Sequence, residues 1–184
     1  MRKHSTFQAI LFLAMSSLFV LAYDSDVSYN AVMYSAASYC LISDIMKWDC
    51  GRPCMLRRGM KSIVKIEHKE FDVFGFVAYN EVDKEVVVAF RGTNGIDVKN
   101  WYMNLQGDKV PYEDVAGAQV HLGWYKGWKN IREETLNTVR DMIWNHQPQT
   151  ILITGHSLGG VLATFAAIEI KLHSGFLGYI ALYT

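Results

Sequence analysis

The pentapeptide Gly155-His156-Ser157-Leu158-Gly159 sets a serine between two glycines, each two positions away, with a further glycine at 160. A serine hydroxyl becomes a useful nucleophile when it is held clear of the fold, relieved of its proton, and faced by donors for the charge forming on the attacked carbonyl. The spacing addresses the first and last of these needs. A chain passing from a strand into a helix with almost no loop puts its middle residue in a strained conformation. Glycines two before and two after remove the Cβ atoms that would otherwise collide. The Ser157 hydroxyl is then raised to the tip of the turn, at a helix N-terminus whose free N–H groups and dipole favour negative charge. The backbone N–H of Leu158 becomes one donor of an oxyanion hole. A glycine-rich turn without chemistry would be spelled the same way, so the flanks decide.

Both flanks fit. Ile151, Leu152, Ile153 and Thr154 form a short apolar, β-branched run that reads as a buried strand. Ala163, Phe165, Ala166, Ala167, Ile168 and Ile170 continue as a helix. The second oxyanion donor in such an arrangement comes from the loop after an earlier strand. Glu85 to Phe90 is a buried strand, returning from a turn at residues 80–84, and it runs into Arg91-Gly92-Thr93. Thr93 is the candidate: a glycine precedes it, allowing close approach, and its hydroxyl stands beside its N–H. Just beyond, Val98, Trp101, Tyr102 and Leu105 fall at i, i+3, i+4 and i+7, a short amphipathic helix. Its apolar face either packs into the core or meets a lipid surface.

The remaining elements follow from periodicity. Ser28 to Ile42 reads as an early helix packed on the sheet, and Asp49 to Gly59 as loop. Residues 63–66 and 71–79 are strand-like, the latter forming a hairpin with 85–90. Gln106 to Ala118 reads as loop, and Trp128 to Trp144 as an amphipathic helix ended by Pro148. A strand begins at Tyr179. Strands alternating with helices predict an α/β fold with a mostly parallel sheet covered on both faces. His121 and His156 are expected to be structural, and the Trp124–Trp128 cluster to sit in the core.

Composition narrows the function. In 184 residues, 51% are apolar and 20% charged, enough for one buried core. Lys+Arg and Asp+Glu are equal at 18 each, and no basic patch alternates with aromatics, which argues against nucleic acid as a partner. Nothing points to a stable protein partner, a cofactor or a metal. Arg2, Lys3 and His4 precede an apolar segment from Phe7 to Val20 and then Val20-Leu21-Ala22, as in a signal peptide cut after Ala22. Residues 1–22 are therefore expected to be removed on secretion or luminal delivery, leaving 23–184 as one domain. An uncleaved anchor is the alternative, although the segment falls short of the roughly 20 residues that span a bilayer. Export favours one disulfide among Cys40, Cys50 and Cys54, with the third thiol free or paired beyond the chain; three thiols do not close a zinc site.

AFRGT at 89–93, NWYMNL at 100–105, VHLGWYKGW at 120–128 and TGHSLGGVLA at 154–163, in this order and spacing, resemble the class 3 (fungal-type) triacylglycerol lipases. The resemblance covers roughly residues 60–184 and implies an α/β-hydrolase fold and hydrolysis of acylglycerol or other lipid esters, at a lipid–water interface. It places the nucleophile at Ser157 and the oxyanion donors at Thr93 and Leu158. It also implies a lid or acyl-groove rim around Trp101, Tyr102 and Leu105.

The general base is the missing part. In this fold the order is Ser, then Asp, then His. After Ser157 the chain offers only Glu169 and His173. At about 1.5 Å per residue, His173 lies roughly 24 Å along the helix from the nucleophile, so it cannot take the proton. Glu169 and His173, four apart, are expected to be a helix-surface pair. The resemblance implies that the family's Asp and His follow the strand ending at Tyr183, so the sequence reads as the N-terminal part of a lipase. The alternative is a catalytically inactive remnant that binds lipid or a partner.

Overall fold

The computed structural model describes residues 24–93 and 108–184. The expected signal peptide, and the helix expected around Trp101, Tyr102 and Leu105, lie outside the described residues.

Three long apolar strands make the centre. β2 (Val73–Asn80), β3 (Glu85–Phe90) and β6 (Thr150–Gly155) are buried along nearly their whole length. Together with β1 (Met60–His68) and β7 (Tyr179–Tyr183) they form a sheet of order β1-β2-β3-β6-β7. β1–β2 and β2–β3 are antiparallel hairpin pairings, whereas β3–β6 and β6–β7 are parallel. The sheet is therefore mixed, with its parallel half next to the elbow.

Strand periodicity of two sorts the side chains between faces. Val86, Val88, Phe90, Ile151 and Ile153 pack against α4 (Leu122–His146) and α5 (Leu158–His173). Val87, Ala89 and Leu152 face α1 (Ser25–Ala37) and α2 (Ile42–Ile45). Each fully buried Val, Leu or Ile contributes about 1.5–3 kcal/mol, which is why these runs read as strands despite lacking a polar face. Asp24 starts α1 by accepting from the N–H groups of Asp26 and Val27, at 2.9 and 3.1 Å.

Four stretches differ from expectation: the early helix ends at Ala37, short of Ile42, which instead opens the separate turn α2. Residues 49–59 are not all loop: Arg52–Leu56 forms a single helical turn, α3, with Pro53 near its start and a Cys50–Cys54 disulfide across it. Cys40 is the free thiol, its Sγ 3.4 Å from the Cys50 carbonyl oxygen. Within 106–118, β4 (Lys109–Pro111) pairs with β5 (Gln119–His121) as a small ribbon. α4 begins at Leu122 rather than near Trp128, because the His121 ring accepts from the Trp124 N–H and caps it. Gly123 and Gly127 hide that first turn from a periodicity argument.

Candidate active site

β6 ends at Gly155 and α5 begins at Leu158, leaving only His156 and Ser157 for the reversal. Ser157 sits at φ 58°, ψ −124°, a region that costs a residue with a Cβ on the order of 1–3 kcal/mol. The flanking glycines are steric requirements. A methyl at Gly155 would collide with the Gly159 carbonyl, and one at Gly159 with the Phe90 carbonyl. α5 thus crosses β3 and β6 at backbone contact. Ser157 is exposed and its hydroxyl forms no helix-capping bond. As the first helical residue, Leu158 has no intrahelical acceptor for its N–H.

The parallel register brings the second loop to the first. Phe90 pairs with Gly155, so the residues after each leave the sheet side by side. A Cβ added to Gly92 would stand 2.6 Å from the His156 carbonyl oxygen and 3.1 Å from the Ser157 Cβ. Arg91 is held from behind: its N–H donates to the Phe74 carbonyl at 2.9 Å, and its guanidinium lies over the Phe74 ring and donates to Asp72 at 2.8 Å. Gly92 is held from the front, its N–H donating to the Tyr39 hydroxyl at 3.0 Å. Thr93, half-buried, follows directly.

Tyr39 carries no sequence signal, since its partners lie 53 and 117 positions away. Its hydroxyl also lies 3.0 Å from His156 Nδ1. His156 is thus engaged with Tyr39, and His173 sits at the far end of α5. A cavity of about 400 Å³ opens at Ser157, walled by Ala31, Val32, Ala36 and Tyr39 on one side and Tyr183 on the other.

Glu169 and His173 do not form the expected surface pair. Glu169 is fully buried; it accepts from Trp128 Nε1 at 2.6 Å, from the Tyr112 hydroxyl at 3.1 Å, and from Arg132 Nε. Burial, and then the Glu169 charge, push the Tyr112 hydroxyl well above the usual phenol range. His173 instead contacts Asp114 at 2.7 Å. Asp114, Glu169 and His173 place one ligand atom each within 4.8 Å of one another, the spacing of a metal site. The Arg132 guanidinium already supplies the cation there, so the donor set does not suit a metal.

A strained serine turn at the carboxyl ends of parallel strands, with helices covering both faces, is the α/β-hydrolase fold. Residues 87–181 match the family described as Lipase (class 3), and the chain belongs to it. It is 31% identical over 147 residues to a lipase of Rhizomucor miehei, covering 79% of this chain and 39% of that protein. It is 27% identical over 100 residues to secreted mono- and diacylglycerol lipase A of Penicillium cyclopium, covering 54% of this chain and 32% of that one. A solved triacylglycerol lipase, described as having a serine-protease triad as its catalytic centre, superposes with TM-score 0.69 and 27% identity, over 81% of this chain and 56% of that chain. The chain spans less than two thirds of the length of each.

Proposed function

We propose that this chain carries the nucleophile and oxyanion hole of a secreted serine esterase acting on acylglycerols or related lipid esters. The observation that carries this is the juxtaposition of Gly92 with Ser157, which sets the segment from Arg91 to Thr93 against the elbow. In this reading Ser157 Oγ attacks the acyl carbonyl carbon. The resulting oxyanion receives hydrogen bonds from the Leu158 and Thr93 N–H groups and from the Thr93 hydroxyl. The general base takes the Ser157 proton during attack; collapse of the tetrahedral species passes that proton to the departing alcohol and leaves an acyl-serine, which water then hydrolyses. The general base and its carboxylate come from outside the described residues. Residues 1–22 act as the signal peptide, and Trp101, Tyr102 and Leu105 as lid or groove rim. No helix among the described residues is long and apolar enough to cross a membrane.

A second reading is a non-catalytic acyl-binding protein, favoured by the distance of His173 from Ser157 and the engagement of His156 with Tyr39. Turnover of p-nitrophenyl esters by the longest form the cell expresses separates the two. Ser157→Ala should reduce it to the uncatalysed level; activity that survives would assign the nucleophile elsewhere. Turnover absent from both forms, with saturable fatty-acid binding, would establish the second reading.

A further inference from the structure

Tyr39 stands where three separated segments meet: the end of the helical layer beneath the sheet, the loop after β3, and the turn after β6. We infer that Tyr39 is a positioning residue, whose hydroxyl clamps the oxyanion loop to the nucleophile elbow. The inference rests on the esterase reading for its catalytic consequence, but the clamp itself is a statement about hydrogen bonds.

The proton count defines the clamp. The Tyr39 oxygen accepts the Gly92 N–H at 3.0 Å and has one proton of its own. The partner within reach of that proton is His156 Nδ1, also at 3.0 Å. In the clamp as inferred, Tyr39 donates to Nδ1 and the His156 ring proton sits on Nε2. A hydroxyl that accepts from one loop and donates to the other serves both; neither a phenyl ring nor a plain acceptor can.

The clamp is mounted on a rigid base. Ala31, Tyr34 and Ala37 of α1 are fully buried against the sheet. The chain then turns tightly, with the N–H groups of Tyr39 and Cys40 donating to the carbonyls of Ala36 and Ala37 at 3.1 and 3.0 Å. The Tyr39 ring is about two-fifths exposed, so burial alone does not account for its place. Its ring also lies 6.1 Å from the His156 ring, a contact that phenylalanine would keep.

The functional consequence lies one residue further along. Thr93 follows Gly92 immediately, so the position of its N–H relative to Ser157 depends on where Gly92 is held. An oxyanion hole acts through preorganisation, and outright removal of one donor costs about 10²–10³ in rate. Loosening a donor without removing it should cost about tenfold to a hundredfold in kcat. KM should stay nearly unchanged, because the ground-state carbonyl relies less on that donor.

Tyr39→Phe tests the clamp on two readouts. In amide exchange by NMR, the Gly92 N–H should exchange at least about tenfold faster, and the His156 ring nitrogens should shift from one tautomer to a mixture. The melting temperature should move by no more than a few degrees. In p-nitrophenyl butyrate turnover above the Ser157→Ala background, kcat should fall about tenfold to a hundredfold with KM within about threefold. His156→Ala alone should fall less, and should add nothing in the Tyr39→Phe background, because both act on the same tie. Unchanged Gly92 exchange would overturn the inference, as would faster exchange with kcat unaltered, or strictly additive losses in the double variant. If Ser157→Ala leaves turnover intact, the esterase reading fails, while the Gly92 and His156 spectra still decide the clamp.

Discussion

Gly92→Ala is the sharpest probe of the idea that two loops must touch. The added methyl would lie 2.5 Å from the Tyr39 hydroxyl, 2.6 Å from the His156 carbonyl oxygen and 3.1 Å from the Ser157 Cβ, whereas ordinary contact begins at 3.4 Å. Two of the three neighbours cannot swing away: one is backbone, the other the nucleophile's own Cβ. The loop therefore has to retreat by about 0.8 Å, taking the Thr93 N–H with it. Misplacement on the order of 1 Å can cost about 10²-fold in rate. The accompanying overpacking should cost only about 1–3 kcal/mol of stability, so the variant still folds. The assay is kcat/KM for a short p-nitrophenyl ester above the Ser157→Ala background, alongside thermal unfolding by circular dichroism. Gly127→Ala is the matched control. There the methyl would meet the Val73 side chain at an ordinary 3.5 Å inside α4, so turnover should hold and stability should rise by up to about 1 kcal/mol. A folded Gly92→Ala protein with full turnover would refute the juxtaposition as the basis of catalysis.

Two further predictions concern groups away from the elbow. Glu169→Ala should destabilise the fold by about 3–5 kcal/mol, because it leaves the buried Trp128 and Tyr112 donors without an acceptor and the Arg132 charge with only its outer partner Glu133. The Arg132 side chain is 27% exposed and can recover some hydration, which favours the lower end, read as a lower urea midpoint at unchanged m-value. Glu85, at the start of β3, has its carboxyl pushed up from 4.5 to about 7 by burial, then by the Asp83 charge, with Arg57 opposing. The folded chain therefore holds this proton to higher pH than the unfolded chain does. Stability from this group is full below about 4.5 and is lost as pH rises through about 7, on the order of 3 kcal/mol in all. Glu85→Gln should flatten that limb of the stability–pH curve, and an unchanged slope between those values would place the titration elsewhere.

What the sequence made legible is what is local. The elbow is written within twenty residues: a β-branched run, glycines at fixed offsets, then small helix formers. The hairpin of β2 and β3 is equally local. α3 is hidden from the sequence because a single turn between two cysteines has no periodicity, and its disulfide closes only in three dimensions. β4 is three residues long and becomes a strand only by pairing with β5. Glu169 looked like a surface acid because its helix neighbours Lys171 and His173 are polar, while its buried partners sit on α4 and in the segment after β4. Tyr39 was invisible for the same reason. A tyrosine at the end of an alanine-rich helix announces nothing until the chain brings Gly92 and His156 to it.

The pairing of Phe90 with Gly155 has a consequence for how such a molecule can change. The ends of both strands are aligned by a ladder between β3 and β6, and the chain between them includes the ribbon of β4 and β5 and then α4. The ribbon forms its own two-stranded sheet, whereas α4 packs on β3 and β6, so a change in the ribbon bears on the ladder less directly than one in α4. A single slipped pair in the ladder would turn every side chain of a strand over and part the two edges together.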